Sequence, residues 1–404
     1  MYRKGRDKMT EIDDTAADRA EYAALNHEIY DLTRQLEAKE REFLDYMKTD
    51  VYDPFKNPTE FKWYRDDYTE ILPWITMPEF TVPFEPAKVE RSAIRRYYNI
   101  GGLTALFQFI GSNIIALGLI LLVRSILSGI NPNAAYGAVS HYMSSSSIFA
   151  AINLITFLLS NLLFAFIGLK WAKIKPSSMI KTRDFCFGAG MQYCLIGLFI
   201  WFFAAYASAG VEDIFSKYGF TTEVSDSDYG KTGIGMAVMA LYSCIIAPLT
   251  EEIFFRGALM KIFSKSNQRF GIFMSAVFFG LAHGNLPQFL LAFLIGIFLG
   301  HIDMKHNSIV PSVIVHIFIN TIVSILSALK GNTVALNAFT AALAVCGLAG
   351  LVLLLFFRNE SKLPVSTPAQ SRRGVAIARS AVGLVAAVVI QAAYLVLLIL
   401  KTKS

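Results

Sequence analysis

Two adjacent glutamates, Glu251 and Glu252, stand in the segment APLTEEIFFRGALM inside an apolar run, and two histidines, His283 and His316, stand in two further apolar runs. Ionisable groups in membrane-length apolar segments are costly, and their default reading is functional. His283 closes Phe279-Gly-Leu-Ala-His283. His316 opens His316-Ile-Phe-Ile-Asn320, and a spacing of four puts its imidazole and the Asn320 amide on one helical face. A carboxylate against an apolar wall can act as a general base near neutral pH. One histidine can share or relay the proton, while a second histidine and an amide can donate hydrogen bonds to an oxyanion. Such a set allows water to attack a carbonyl without a covalent nucleophile. Glu252 and Arg256 are four apart and can pair as a structural ion pair, which turns Glu251, about 100° round the helix, toward a cavity. Pro248 removes a backbone hydrogen bond just before the pair and can kink the helix.

The charge distribution says what kind of element must hold these groups. Residues 1–98 carry 16 Lys/Arg and 21 Asp/Glu, whereas residues 99–404 carry 21 Lys/Arg and only 10 Asp/Glu. A chain that is 54% hydrophobic and 17% charged, with its acids so concentrated at one end, is not one ordinary soluble globule. The expected fold class is all-α: a polytopic transmembrane helical bundle of about 8–9 spans, preceded by a polar N-terminal region. The net charge of +6 is interleaved with apolar runs as membrane flanks are, so no nucleic-acid partner is indicated. Cys186, Cys194, Cys244 and Cys346 form no CxxC pair and read as small apolar packing residues. No apolar secretory segment opens the chain.

Apolar runs predict spans near 101–127, 147–170, 187–209, 233–262, 271–286, 288–302, 309–329, 334–357 and 377–400. The 271–286 and 288–302 runs are short and meet at Pro287, so one of them can be re-entrant. Basic residues gather before the first span, at 170–186, at 256–270 and at 358–379, an alternation that places the N-terminus in the cytoplasm. With Lys261–Lys265 and Arg269 at that surface, Glu251 and His283 lie at similar depths of about 15–20 Å. His316 follows Pro311 by only five residues, so tilt or a recessed helix start must make up about 5–10 Å. His301 and His306, around Asp303 and Lys305, read as a solvated cytoplasmic turn, and His27 and His141 as solvated as well.

Two N-terminal pieces complete the organisation. Residues 10–48 carry an apolar stripe through Tyr22, Leu25, Ile29, Leu32 and Leu36, an amphipathic helix suited to its own protein, a membrane surface or a helical partner. Residues 50–90 are broken by Pro54, Pro58, Pro73, Pro78, Pro83 and Pro86 among Trp63, Tyr64, Trp74 and Phe80, an extended connector. The expected division is therefore a cytoplasmic region 1–98 and a transmembrane domain 99–404 with its motif core at 233–330.

Glu251-Glu252-x-x-x-Arg256, Phe279-x-x-x-His283 and His316-x-x-x-Asn320, in that order and each in an apolar helix, resemble the three-motif signature of the CPBP intramembrane protease family. That family includes CAAX prenyl endopeptidases and bacteriocin-processing and immunity-type proteins. The resemblance implies a membrane endopeptidase in which Glu251 activates water with help from His283, His316 and Asn320 bind the oxyanion, and Glu252 and Arg256 support the site. It also implies a membrane-associated peptide or protein substrate in the lipid bilayer, with a bacterial-type plasma membrane as the expected location. Glu251, His283 and His316 could ligate zinc. HExxH is absent, however, and the metal-free glutamate mechanism is the expected one. Two other readings of the same residues stay open. One is a non-catalytic membrane scaffold, and the other is a proton-coupled carrier using Glu251 and the histidines as a relay. The absence of a convincing internal repeat weighs against the carrier.

Overall fold

The computed structural model describes residues 16–49, 86–130, 147–180, 187–220, 233–265, 267–360 and 376–401. The proline-rich connector falls almost entirely outside these. The helices are α1 (Ala16–Thr49), α2 (Pro86–Ile130), α3 (Ser147–Trp171), α4 (Phe187–Lys217), α5 (233–263), α6 (Gln268–Leu281), α7 (Leu286–His306), α8 (Val310–Ala328), α9 (Thr333–Glu360) and α10 (Val382–Lys401). The chain divides into one unit holding α1 and another holding the helices from Glu90 onward. On α1 the stripe residues Leu25, Ile29, Leu32 and Leu36 are all exposed.

Eight of the helices are long and apolar enough to cross a membrane, α2 to α5 and α7 to α10, and the protein is an integral multi-pass membrane protein. The ninth expected span is α6, whose 14 residues rise only about 21 Å, less than a hydrocarbon core of about 30 Å. It is short because Asn267 caps its start, accepting from the Phe270 N–H at 3.1 Å, and Gly284 ends the turn that follows it with φ +68. Asn285 then caps α7 by accepting from the Gln288 N–H at 2.9 Å. The α6–α7 hairpin this makes brings His283 to a cavity that Glu251 and Phe255 of α5 also line.

Among the described residues, three apolar clusters hold the bundle, the smallest of them joining α4, α8 and α9 through Leu198, Ile322 and Leu343. Of the other two, one joins α2, α5, α6 and α10 through Tyr98, Phe254, Phe263, Phe278 and Leu384. The other joins α4, α7 and α8 through Ile196, Leu299, Ile302 and Val315. Apolar side chains such as Leu117, Leu121, Leu122 and Ile126 of α2 point outward, as expected where lipid rather than water is the solvent. Contact between α2 and α10 is close: a Cβ on Gly102 would lie 2.3 Å from the Leu384 Cα.

The helix carrying the glutamates is not a regular α-helix. Tyr242–Ile246 and Ile253–Met260 are π-helical, flanking the α-helical Ala247–Glu252 that begins around Pro248. Wide π turns free backbone carbonyls, and neighbouring side chains take up two of them. Asn320 Nδ2 donates to Ser243 O at 2.8 Å, and Ser275 Oγ donates to Phe255 O at 2.7 Å. Such interruptions recur at functional sites.

The polar end expected at Lys261–Lys265 is covered. Both lysines are 1% exposed, and Lys261 Nζ donates to Ser178 Oγ at 2.5 Å on the short 3-10 turn Pro176–Met179. The same turn accepts the Ile309 N–H on Met179 O at 3.0 Å, so the start of α8 lies inside the protein. Asp303 is not in a solvated turn either. It is 0% exposed, and its two carboxylate oxygens accept from the Ser312 N–H at 2.9 Å and from Ser312 Oγ at 2.5 Å. The helix continues through His306, which meets the Tyr193 hydroxyl at 2.6 Å through Nε2.

Candidate active site

Glu252 and Arg256 are both 0% exposed, and Arg256 Nη1 donates to Glu252 Oε1 at 3.0 Å across the widened turn. The guanidinium also lies over the Phe279 ring, 4.2 Å from its centroid. The same Glu252 Oε1 accepts from His316 Nδ1 at 2.7 Å. A carboxylate only accepts, so Nδ1 carries the proton on His316 and, in the neutral ring, Nε2 keeps a lone pair. That Nε2 stands 3.7 Å from Glu251 Oε2. Glu251 is thus the carboxylate left open: its side chain is 19% exposed, beside a Glu252 that is fully enclosed.

His283 sits just past the end of α6. Its Nδ1 meets Phe279 O at 2.8 Å, and because a carbonyl can only accept, Nδ1 is the donor there. The neutral ring then presents Nε2 as a base. Phe279 is the common wall, with its ring edge-on to His283 at 5.1 Å and to His316 at 5.6 Å. The spacing Phe279-x-x-x-His283 places the carbonyl of the first residue where it fixes the tautomer of the second.

Glu251 and His283 line one cavity of about 230 Å³, together with Phe157, Phe255 and Ala282. Its other lining residues are polar: Gln108 from α2, Asn161 from α3, Tyr242 from α5 and Gln288 from α7. None of these four stood out from the sequence. Each is a lone uncharged polar group in or beside an apolar run, and the carboxamides of Gln108, Asn161 and Gln288 in predicted spans were the signal available to find three of them. His316 reaches the cavity only through its contact with Glu251, and Asn320 is not among the lining residues. The oxyanion role that the resemblance assigns to Asn320 needs its amide in the cavity, whereas here the amide is held by the carbonyl that the first π turn frees.

Among the described residues, no group of three or more His, Cys, Asp and Glu side chains is placed to hold a metal ion. Glu251, His283 and His316, the ligands a zinc ion would take, do not form such a group, although Nδ1 of both histidines is held by another acceptor and Nε2 is left open, as in a zinc-ligating histidine.

The match with known proteins falls on this same stretch of chain. Residues 233–322 match the family described as type II CAAX prenyl endopeptidase Rce1-like. They are the core of the chain's resemblance to the CPBP family. This core runs from the start of α5 to the middle of α8, so it contains Glu251, Glu252, Arg256, His283, His316 and Asn320. A Bacillus subtilis (strain 168) protein named "Putative membrane peptidase YdiL" is 27% identical over 142 residues, 34% of this chain and 57% of that protein. The chain therefore aligns with little more than half the length of that relative. No solved structure matches. Gln108 and Asn161 come from helices outside the CPBP-family core.

Proposed function

We propose that the protein is an intramembrane endopeptidase that hydrolyses a peptide bond of a membrane-associated peptide or protein. The observation that carries this reading is the pairing of Glu251 with His283 in one cavity while the adjacent Glu252 is occupied by Arg256 and His316. In this scheme a water held between Glu251 and His283 Nε2 gives its proton to Glu251 as its oxygen adds to the substrate carbonyl. The tetrahedral adduct then expels the amine, which takes up that proton as the C–N bond breaks; the second water proton stays on the acyl product, so a carboxylic acid and an amine leave, which ionise in water to a carboxylate and an ammonium. His316 Nε2, next to Glu251, is placed to hold the proton between the two steps. Glu252 and Arg256 orient the His316 ring and take no proton.

The family description names prenylated CAAX substrates. For this chain the proposal is peptide or protein processing, at a bacterial-type plasma membrane with the N-terminus in the cytoplasm. Two variants in proteoliposomes, assayed with quenched fluorescent peptides, test the mechanism. His283→Ala is expected to lose about 10²–10⁴-fold in turnover, the usual worth of a positioned acid or base. Cys244→Ala, whose thiol faces Ser324 Oγ at 3.2 Å rather than the cavity, is expected to keep full turnover. Unchanged turnover in His283→Ala, or loss in Cys244→Ala, would count against water activation at this cavity.

A further inference from the structure

We propose that the Gln108–Asn161 carboxamide pair binds the main chain of the peptide substrate beside the bond to be cleaved. The inference rests on the endopeptidase reading and adds to it a substrate-binding element outside the CPBP-family core.

Both side chains line the Glu251–His283 cavity, and both residues are nine-tenths or more buried, Gln108 at 8% and Asn161 at 1% exposure. Their hydrogen bonds form a directed chain. Thr250 Oγ1 lies 2.9 Å from Ile246 O and 3.2 Å from Ala247 O, which can only accept, so the hydroxyl spends its proton there. The same oxygen therefore accepts from Asn161 Nδ2 at 3.3 Å. That fixes the Asn161 amide, whose Oδ1 accepts from Gln108 Nε2 at 2.9 Å. The chain of donors ends on Gln108, leaving its Oε1 and one Nε2–H with no hydrogen-bond partner among the described residues. The Gln108 oxygen is not fully enclosed, and Gln108 lines the cavity.

Two carboxamides that served only to join helices would be expected to use up each other's groups, because an unmade hydrogen bond in an apolar setting is costly. Here one acceptor and one donor are held out together, in one plane, on a fixed amide. A peptide unit offers the complementary donor and acceptor. Thr250 precedes Glu251 directly, so the anchor of the pair and the proposed base share one turn of α5. A peptide strand held on Gln108 is thereby registered against the water-activating carboxylate.

The test uses the full-length Glu251→Gln protein in nanodiscs and a fluorescein-labelled peptide that the wild type cleaves in a Glu251-dependent manner. Depsipeptide versions of that peptide replace one main-chain N–H at a time by an ester oxygen. Binding is read by fluorescence anisotropy. One replacement next to the scissile bond is expected to weaken binding to the Glu251→Gln protein by about tenfold, the scale of one buried hydrogen bond. Adding Gln108→Met is expected to weaken the parent peptide by a similar factor and to erase the difference between peptide and depsipeptide. Gln108→Leu replaces Gln108→Met if the latter does not fold. Equal depsipeptide penalties with and without Gln108 would overturn the inference and assign the pair to helix packing. Unaltered binding with lowered turnover in the Gln108 variant of the active protein would also overturn it, since the pair would then act only on the transition state. If no peptide is cleaved in a Glu251-dependent manner, the endopeptidase reading itself fails and the inference falls with it.

Discussion

Replacing Arg256 by Met should expose how the site is held. Arg256 is 0% exposed and gives Glu252 a hydrogen bond at 3.0 Å, stacks on Phe279 at 4.2 Å and approaches Gly296 O at 3.5 Å. Met roughly conserves the volume, so the loss is electrostatic. Removing one member of a buried ion pair costs about 3–5 kcal/mol, because the remaining charge stays in an apolar setting. The His316 Nδ1–H still serves the same Glu252 oxygen at 2.7 Å, which puts the expected loss near the lower end, about 3 kcal/mol. In Arg256→Met/Glu252→Gln neither charge of the pair is left behind, and the new carboxamide oxygen still accepts from His316. That double variant should return to within about 1 kcal/mol of the wild type. Equilibrium unfolding in mixed detergent micelles, followed by tryptophan fluorescence, measures both. A single variant within about 1 kcal/mol of wild type, or a double variant no more stable than the single, would refute the buried-charge argument.

Three further outcomes are expected. Asp303→Ala removes the acceptor for both the Ser312 N–H and its hydroxyl at the recessed start of α8, and should cost about 3 kcal/mol while lowering turnover, because α8 carries His316; Ser312→Ala should cost about 1 kcal/mol in the same unfolding assay. Gly350→Ala would put a Cβ 2.0 Å from Leu195 O, backbone against backbone, and should lower stability by about 2 kcal/mol, whereas at Gly347 the nearest atom is a Phe202 ring carbon at 3.2 Å and the loss should stay below about 1 kcal/mol. Deleting residues 1–48 should leave Glu251-dependent cleavage in place; a scaffold that recruits its partner through α1 would instead lose function on that deletion and keep it in Glu251→Ala.

The contacts that follow from helical spacing were legible in the sequence. Glu252 and Arg256 pair at four residues, and Glu251 turns to the cavity beside them. The bundle itself was legible because carboxylates are so scarce after residue 98. Long-range geometry was not. Asn320 shares a helical face with His316, but its partner is set by a π turn in α5, which hydrophobic periodicity does not report. Lys261 and Lys265 read as a membrane boundary, yet both are buried, and Lys261 donates to Ser178 on a turn from far upstream in the chain. Gln108 and Asn161 each look like an ordinary polar interruption; they acquire meaning only when α2 and α3 bring together residues 53 apart.

The most direct measurement of the central claim compares wild-type and Glu251→Gln protein, matched for melting behaviour, in proteoliposomes with a quenched peptide library read out by mass spectrometry of the products. The account predicts a new carboxyl terminus and a new amine from the wild type, and at least about 10²-fold less product from Glu251→Gln. Equal product from a folded Glu251→Gln protein would contradict it.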